Sequence, residues 1–80
     1  MYENIIKNYV NKLTKDHIKK FCIKENITIS NEEINIIYYY IKNNWKDIMY
    51  NPNPYLKIAK EKLNKDVYEK LLVLKDKYLK

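Results

Sequence analysis

ISNEEINIIYYYIKNNW, Ile29 to Trp45, carries a helix start, three adjacent tyrosines and the only tryptophan of the chain. Its first residues form a capping box. Ser30 can accept from the backbone amide of Glu33 while the Glu33 carboxylate reaches back to the Ser30 amide, and Ile29 is placed to staple onto Ile34. A helix over 31–45 follows. On a helical wheel centred on Ile37, the residues Ile34, Tyr38, Ile41 and Trp45 share one sector of roughly 100°, a core-facing stripe. A second stripe, Ile36, Tyr39, Tyr40 and Asn43, runs along the other side. A helix that is apolar on two faces is expected at the centre of its domain, covered by the N-terminal helices on one side and a C-terminal pair on the other. The alternative is that the second stripe is an exposed anchor for a protein partner or a second copy.

Other starts flank this central helix. Thr14 reads as a cap with Leu13 opposite Ile18, and Asn64 as another with Leu63 opposite Tyr68. Asn53-Pro54 combines a cap with a proline at the first helical position, where its missing amide donor costs nothing. Asn26 suits a left-handed helix stop, and Asn51-Pro52-Asn53-Pro54 is the main break. Helices are therefore expected at roughly 2–12, 15–25, 31–45, 54–62 and 65–79. Their apolar stripes are Ile5, Ile6, Tyr9 and Val10; Ile18, Phe21 and Cys22; Leu56, Ala59 and Leu63; and Val67, Leu71, Leu74 and Tyr78. The fold class is all-α, a small irregular bundle of about five short helices forming one domain over 1–80.

Composition agrees with a folded chain. The apolar fraction is 46% with 14% aromatics, too rich for disorder, and there is no glycine and no low-complexity tract. Lysine, asparagine, isoleucine and tyrosine supply 48 of 80 residues, all from AT-rich codons, so tyrosine and lysine counts are discounted as evidence of function. Glu3 and Lys7 interrupt the first apolar residues, and no run approaches the ~20 residues of a membrane span, so a cytoplasmic protein is expected. The single Cys22 fits a reducing compartment.

Raw materials for catalysis are sparse. His17 and Cys22 lie five apart, roughly 140° around a helix, and do not face one site. Cys22 falls on an apolar stripe as an inert thiol, and His17 lacks a second metal ligand at i+3 or i+4. Glu32 and Glu33 are explained by the helix dipole and the capping box. No enzymatic activity, cofactor or metal is expected.

The net charge of +6 divides into +1 for residues 1–40 and +5 for residues 41–80, and all sixteen cations are lysine. Without arginine, bidentate recognition of phosphate or guanine is missing, though nonspecific electrostatic binding is not. A helix-turn-helix over 15–45 fails beyond Asn26, because Glu32 and Asn35 stand where core residues belong and the apolar residues arrive two positions late. Lys57–Glu61, Glu61–Lys65, Asp66–Lys70 and Asp76–Lys80 are opposite charges four apart, as on a solvated helical face. Lys42, Lys46, Lys60, Lys62, Lys75 and Lys77 remain as a candidate basic surface for nucleic acid or an acidic protein.

The run LTKDHIKKFCIKENITISNEEINIIYYYIKNN, Leu13 to Asn44, followed by a break and a lysine-rich helical segment, resembles a family of small uncharacterised helical proteins of low-GC Gram-positive bacteria. The likeness is one of layout, covering about residues 11–80. It implies an all-helical fold in a bacterial cytoplasm and carries over no catalytic or binding residue. The function expected from the residues is a non-enzymatic protein–protein interaction module, self-associating or not. The alternative is nonspecific binding of nucleic acid or an acidic surface by the C-terminal lysines.

Overall fold

The computed structural model describes residues 2–78, and over these the chain folds into five helices with no strand. They are α1 (Tyr2–Lys12), α2 (Lys15–Lys24), α3 (Asn31–Tyr50), α4 (Asn53–Lys62) and α5 (Lys65–Tyr78). The expected all-α bundle is what forms.

Three of the starts are built as their residues demand. At α3 the Ser30 hydroxyl accepts from the Glu33 amide at 3.2 Å and Glu33 Oε1 accepts from the Ser30 amide at 3.0 Å. At α2, Thr14 accepts from the His17 amide, and His17 Nδ1 returns the bond by accepting from the Thr14 amide, both at 3.1 Å. The imidazole thus takes the place usually held by a glutamate. Asn64 accepts from the Val67 amide at 2.9 Å and caps α5. Caps of this kind contribute about 0.5–2 kcal/mol each. The α4 start differs from expectation: Pro52 is the cap residue, without a side-chain bond, and Asn53 and Pro54 occupy the first two helical positions. Proline is still harmless there, since the amides of the first turn have no helical acceptor.

Asn26 ends α2 with φ 58°, the left-handed position for which a chain without glycine has asparagine as its best residue. The Ile27 amide then donates to the Cys22 carbonyl at 2.8 Å and the Asn26 amide to Ile23 at 3.2 Å, a complete Schellman closure with Ile27 and Cys22 both buried.

α3 runs five residues past the expected end, with a kink at Asn44 (φ −133°). Beside the kink, Asn43 Nδ2 donates to the Tyr39 carbonyl at 2.8 Å, inserting a side chain where the backbone ladder should run.

The core is one cluster of Ile18, Cys22, Ile27, Ile34, Ala59, Leu63 and Val67, with Val67 almost wholly enclosed at 1% exposure. It draws on α2, α3, α4 and α5 and the loop before α3. α1 lies outside it. Only Val10 of its stripe is buried, while Ile5 and Tyr9 are exposed at 56% and 76%, contrary to expectation. α1 is instead fastened along α3 by polar contacts: Tyr50 donates to Glu3 Oε1, Lys46 pairs with Glu3 at 3.7 Å, and Lys42 donates to the Asn11 carbonyl at 3.1 Å. Phe21 also sits more outside than its stripe suggested, at 39%.

Candidate docking surface

Glu33 organises the start of α3 beyond its own cap. Its Oε1 also accepts from Asn64 Nδ2 at 3.0 Å and its Oε2 from the Asn64 amide at 2.7 Å, so one buried carboxylate ties the α3 start to the turn between α4 and α5. Burial alone would push this carboxyl upward, but the bonds from Asn64 and Ser30 outweigh it and hold the group below the usual glutamate range. Sequence reasoning identified Glu33 and Asn64 as separate caps, 31 residues apart, and had no signal that they meet. The carboxylate is a structural hub that accepts three hydrogen bonds.

Further along α3 the surroundings change. A cleft of about 290 Å³ opens between α3, α4 and α5. From α3 it is lined by Ile36, Ile37, Tyr40, Ile41 and Ile48; from the linker and α4 by Pro52, Tyr55, Leu56, Ile58, Ala59 and Leu63; from α5 by Leu71, Leu74 and Lys75. The gap has a plain origin. Among the described residues no Cα of α5 comes within 8 Å of one in α3, whereas α4 approaches both. α5 leans on α4 and shares the core with α3 through Val67 and Leu71, while Leu71 and Leu74 line the cleft opposite α3.

The two expected stripes of α3 turn out to be one broad arc. Ile36 and Tyr40 join Ile37 and Ile41 in the cleft, and Ile34 continues the arc into the core. At about 100° per residue, Ile36, Tyr40, Ile37, Ile41 and Ile34 succeed one another around one side of the helix, with Glu33 at the start of α3 and Asn44 and Asp47 towards its end falling within the same arc. Tyr38 closes the far edge of the arc. Its ring is half-buried, with Lys15 Nζ 5.5 Å and Lys42 Nζ 5.6 Å from the ring centroid, within cation–π reach. Trp45 is half-buried as well.

The candidate partner surface is thus divided. Ile36 and Tyr40 belong to the cleft, while Tyr39 (60% exposed) and Asn43 stand outside it on the solvent face. Tyr39 still borders the cleft through a T-shaped contact with the Tyr40 ring, at 5.4 Å between centroids and 87°. Tyr40 in turn meets Tyr55 at 6.2 Å and 68°. The Tyr55 hydroxyl donates to Asp47 at 3.4 Å, and burial with the nearby Asp47 charge raises its pKa.

The candidate basic surface is dispersed. Lys42 and Lys46 are engaged with α1, Lys60 and Lys62 stand exposed in the last turn of α4, where cations suit the helix dipole, and Lys75 lines the cleft. Lys77 lies in the last turn of α5. Of the expected i,i+4 pairs, Asp76–Lys80 lies outside the described residues, and the other three do not close. Glu61 and Lys65 are on different helices, separated by the Leu63-Asn64 break, and Lys65 pairs with Glu69 at 4.0 Å. The remaining pairs are exposed and gain little from holding two long side chains together.

Cys22 is buried, and desolvation raises its thiol pKa, the setting of an unreactive thiol. Among the described residues no group of three or more His, Cys, Asp or Glu is placed to hold a metal ion, and no helix is long and apolar enough to cross a membrane. Comparison of the chain with protein-family models, with curated proteins and with solved structures finds no match.

Proposed function

We propose that this chain is a non-enzymatic protein-interaction module whose docking surface is the cleft between α3 and α5, and that its occupant is an apolar-faced helix of a protein partner. The observation that carries this reading is the unfilled gap between two apolar helix faces, Ile36, Tyr40 and Ile41 on one side and Leu71 and Leu74 on the other. An interior normally closes such a gap, because it forfeits both dispersion contacts and apolar burial. From Ile36 to Ile48 the α3 wall is about 18 Å long at the helical rise per residue, a groove that matches about three turns of a helix laid alongside it. Tyr40, Tyr55 and the exposed Tyr39 supply the aromatic anchors that interfaces favour.

Calorimetry with a synthetic helical peptide carrying leucines at i, i+3, i+4 and i+7 and glutamine elsewhere tests the proposal. Binding with a negative heat-capacity change is expected, weakened about tenfold or more in Tyr40→Ala, since burying apolar surface gives that signature. A folded monomer that takes up no peptide contradicts it. Self-association is the second reading, favoured by exposed Tyr39 beside the cleft. Light scattering on the purified chain would then show a dimer that dissociates in the Tyr39→Ala/Tyr40→Ala double variant.

A further inference from the structure

We infer that the helix accepted by this cleft carries acidic residues beside its apolar face, one of whose carboxylates docks on Lys75; this rests on the docking reading above and names the chemistry of its partner. Among the described residues the lining of the cleft holds one charged side chain, Lys75, and no carboxylate. Lys75 lies one residue after Leu74 and one helical turn after Leu71, and its half-buried side chain lines the cleft beside them.

The ammonium is poorly matched by its own chain. Its ion-pair partner is the sequence neighbour Asp76 at 3.8 Å, and the Asp76 side chain is 74% exposed, an arrangement worth little in water. At 3.8 Å the Asp76 contact is longer than a hydrogen bond. The Lys75 side chain, at 33% exposure, is the most enclosed of the lysines in ion pairs, so a carboxylate meeting it there would be screened less than at the open surface.

The wider field points the same way. Eleven of the fourteen residues that line the cleft come from residues 41–80, the half of the chain that holds ten lysines against five acids. The Asp47 carboxylate already accepts from the Tyr55 hydroxyl, and Asp76 is already paired with Lys75. A basic partner would meet Lys75 with like charge and gain no counterpart. An acidic one is attracted at long range and paired on contact.

Three leucine-faced peptides identical but for glutamate, glutamine or lysine beside the apolar face, titrated calorimetrically into the full chain, test this. The glutamate peptide should bind about tenfold tighter than the glutamine one, the lysine peptide weaker still, with the glutamate advantage lost at high salt. In Lys75→Gln, whose fold is checked by circular dichroism, the glutamate and glutamine peptides should bind alike. Equal affinity for all three in the unsubstituted chain overturns the acidic partner and leaves the docking reading standing. An advantage for glutamate that survives in Lys75→Gln overturns the role of Lys75. No heat from any peptide overturns the docking reading and this inference with it.

Discussion

At the start of α3, Glu33 and Ile34 are enclosed by Ser30, Asn64 and the core, whereas from Ile36 onward the same helix looks across a gap at α5. Both regions belong to one apolar helix facing one helix pair. What separates them is a polar link. The Glu33 carboxylate draws Asn64 to within hydrogen-bond distance and fixes the α4–α5 turn against α3, and Val67, next to that turn, is the most enclosed residue of the core. Directional bonds set the geometry of the closed end, and the apolar surface left at the open end is available to another molecule.

Truncation should break the symmetry of the two regions most sharply. Ile34→Ala, at a site 4% exposed, should cost about 2–5 kcal/mol in urea unfolding, while Leu74→Ala, at the half-buried cleft wall, should cost less than about 1 kcal/mol. Equal losses would mean the cleft is closed in solution.

Enlargement should act in opposite directions. Val67→Phe has no room and should destabilise by about 1–3 kcal/mol. Ala59→Leu, growing into the cleft, should stabilise by about 0.5–2 kcal/mol and block peptide uptake. Loss of stability in both variants would show that no usable space exists beside Ala59.

Glu33→Gln should cost about 1–3 kcal/mol, because Asn64 and Ser30 lose a charged acceptor. Since the folded carboxyl titrates below its ordinary value, its contribution is complete above about 4.3, the unfolded glutamate pKa, and is lost as pH falls through the lower folded one. The difference in stability between Glu33→Gln and the unsubstituted chain should therefore shrink in acid, and a pH-independent difference would contradict the hub role. Smallest of all, Tyr39→Ala should change stability by no more than about 0.5 kcal/mol, for its ring is mostly in water.

The sequence discloses the closed end far better than the open one. Capping boxes, the left-handed Asn26 and the proline break are local devices, each legible within four or five residues, and four of the five helices lie where these devices place them to within a residue. α3 continues to Tyr50 past a kink at Asn44, one residue before its expected end, and the side-chain bond from Asn43 to Tyr39 beside that kink is not announced by composition. The wheel assigned Ile37 and Ile41 to one side and Ile36 and Tyr40 to another. It could not show that α4 and α5 would span the boundary between them. Nor could a pattern of apolar residues show that α5 shares the core with α3 through Val67 while Leu74 lines a cleft, since Val67, Leu71 and Leu74 read alike on one stripe. The exposure of Ile5 and Tyr9 has the same cause: their spacing is that of a buried face, but α1 is held by Glu3, Asn11, Lys42, Lys46 and Tyr50 instead.

The central claim is that the face between α3 and α5 is open and receives a helix. Chemical-shift mapping of the isotope-labelled full chain with the leucine-faced, glutamate-flanked peptide tests it most directly. The account predicts perturbations concentrated on Ile36, Tyr40, Ile41, Leu56, Leu71 and Leu74, with α1 and α2 unmoved. Perturbations centred on Ile5 and Tyr9, or none at any residue of the cleft, would contradict it.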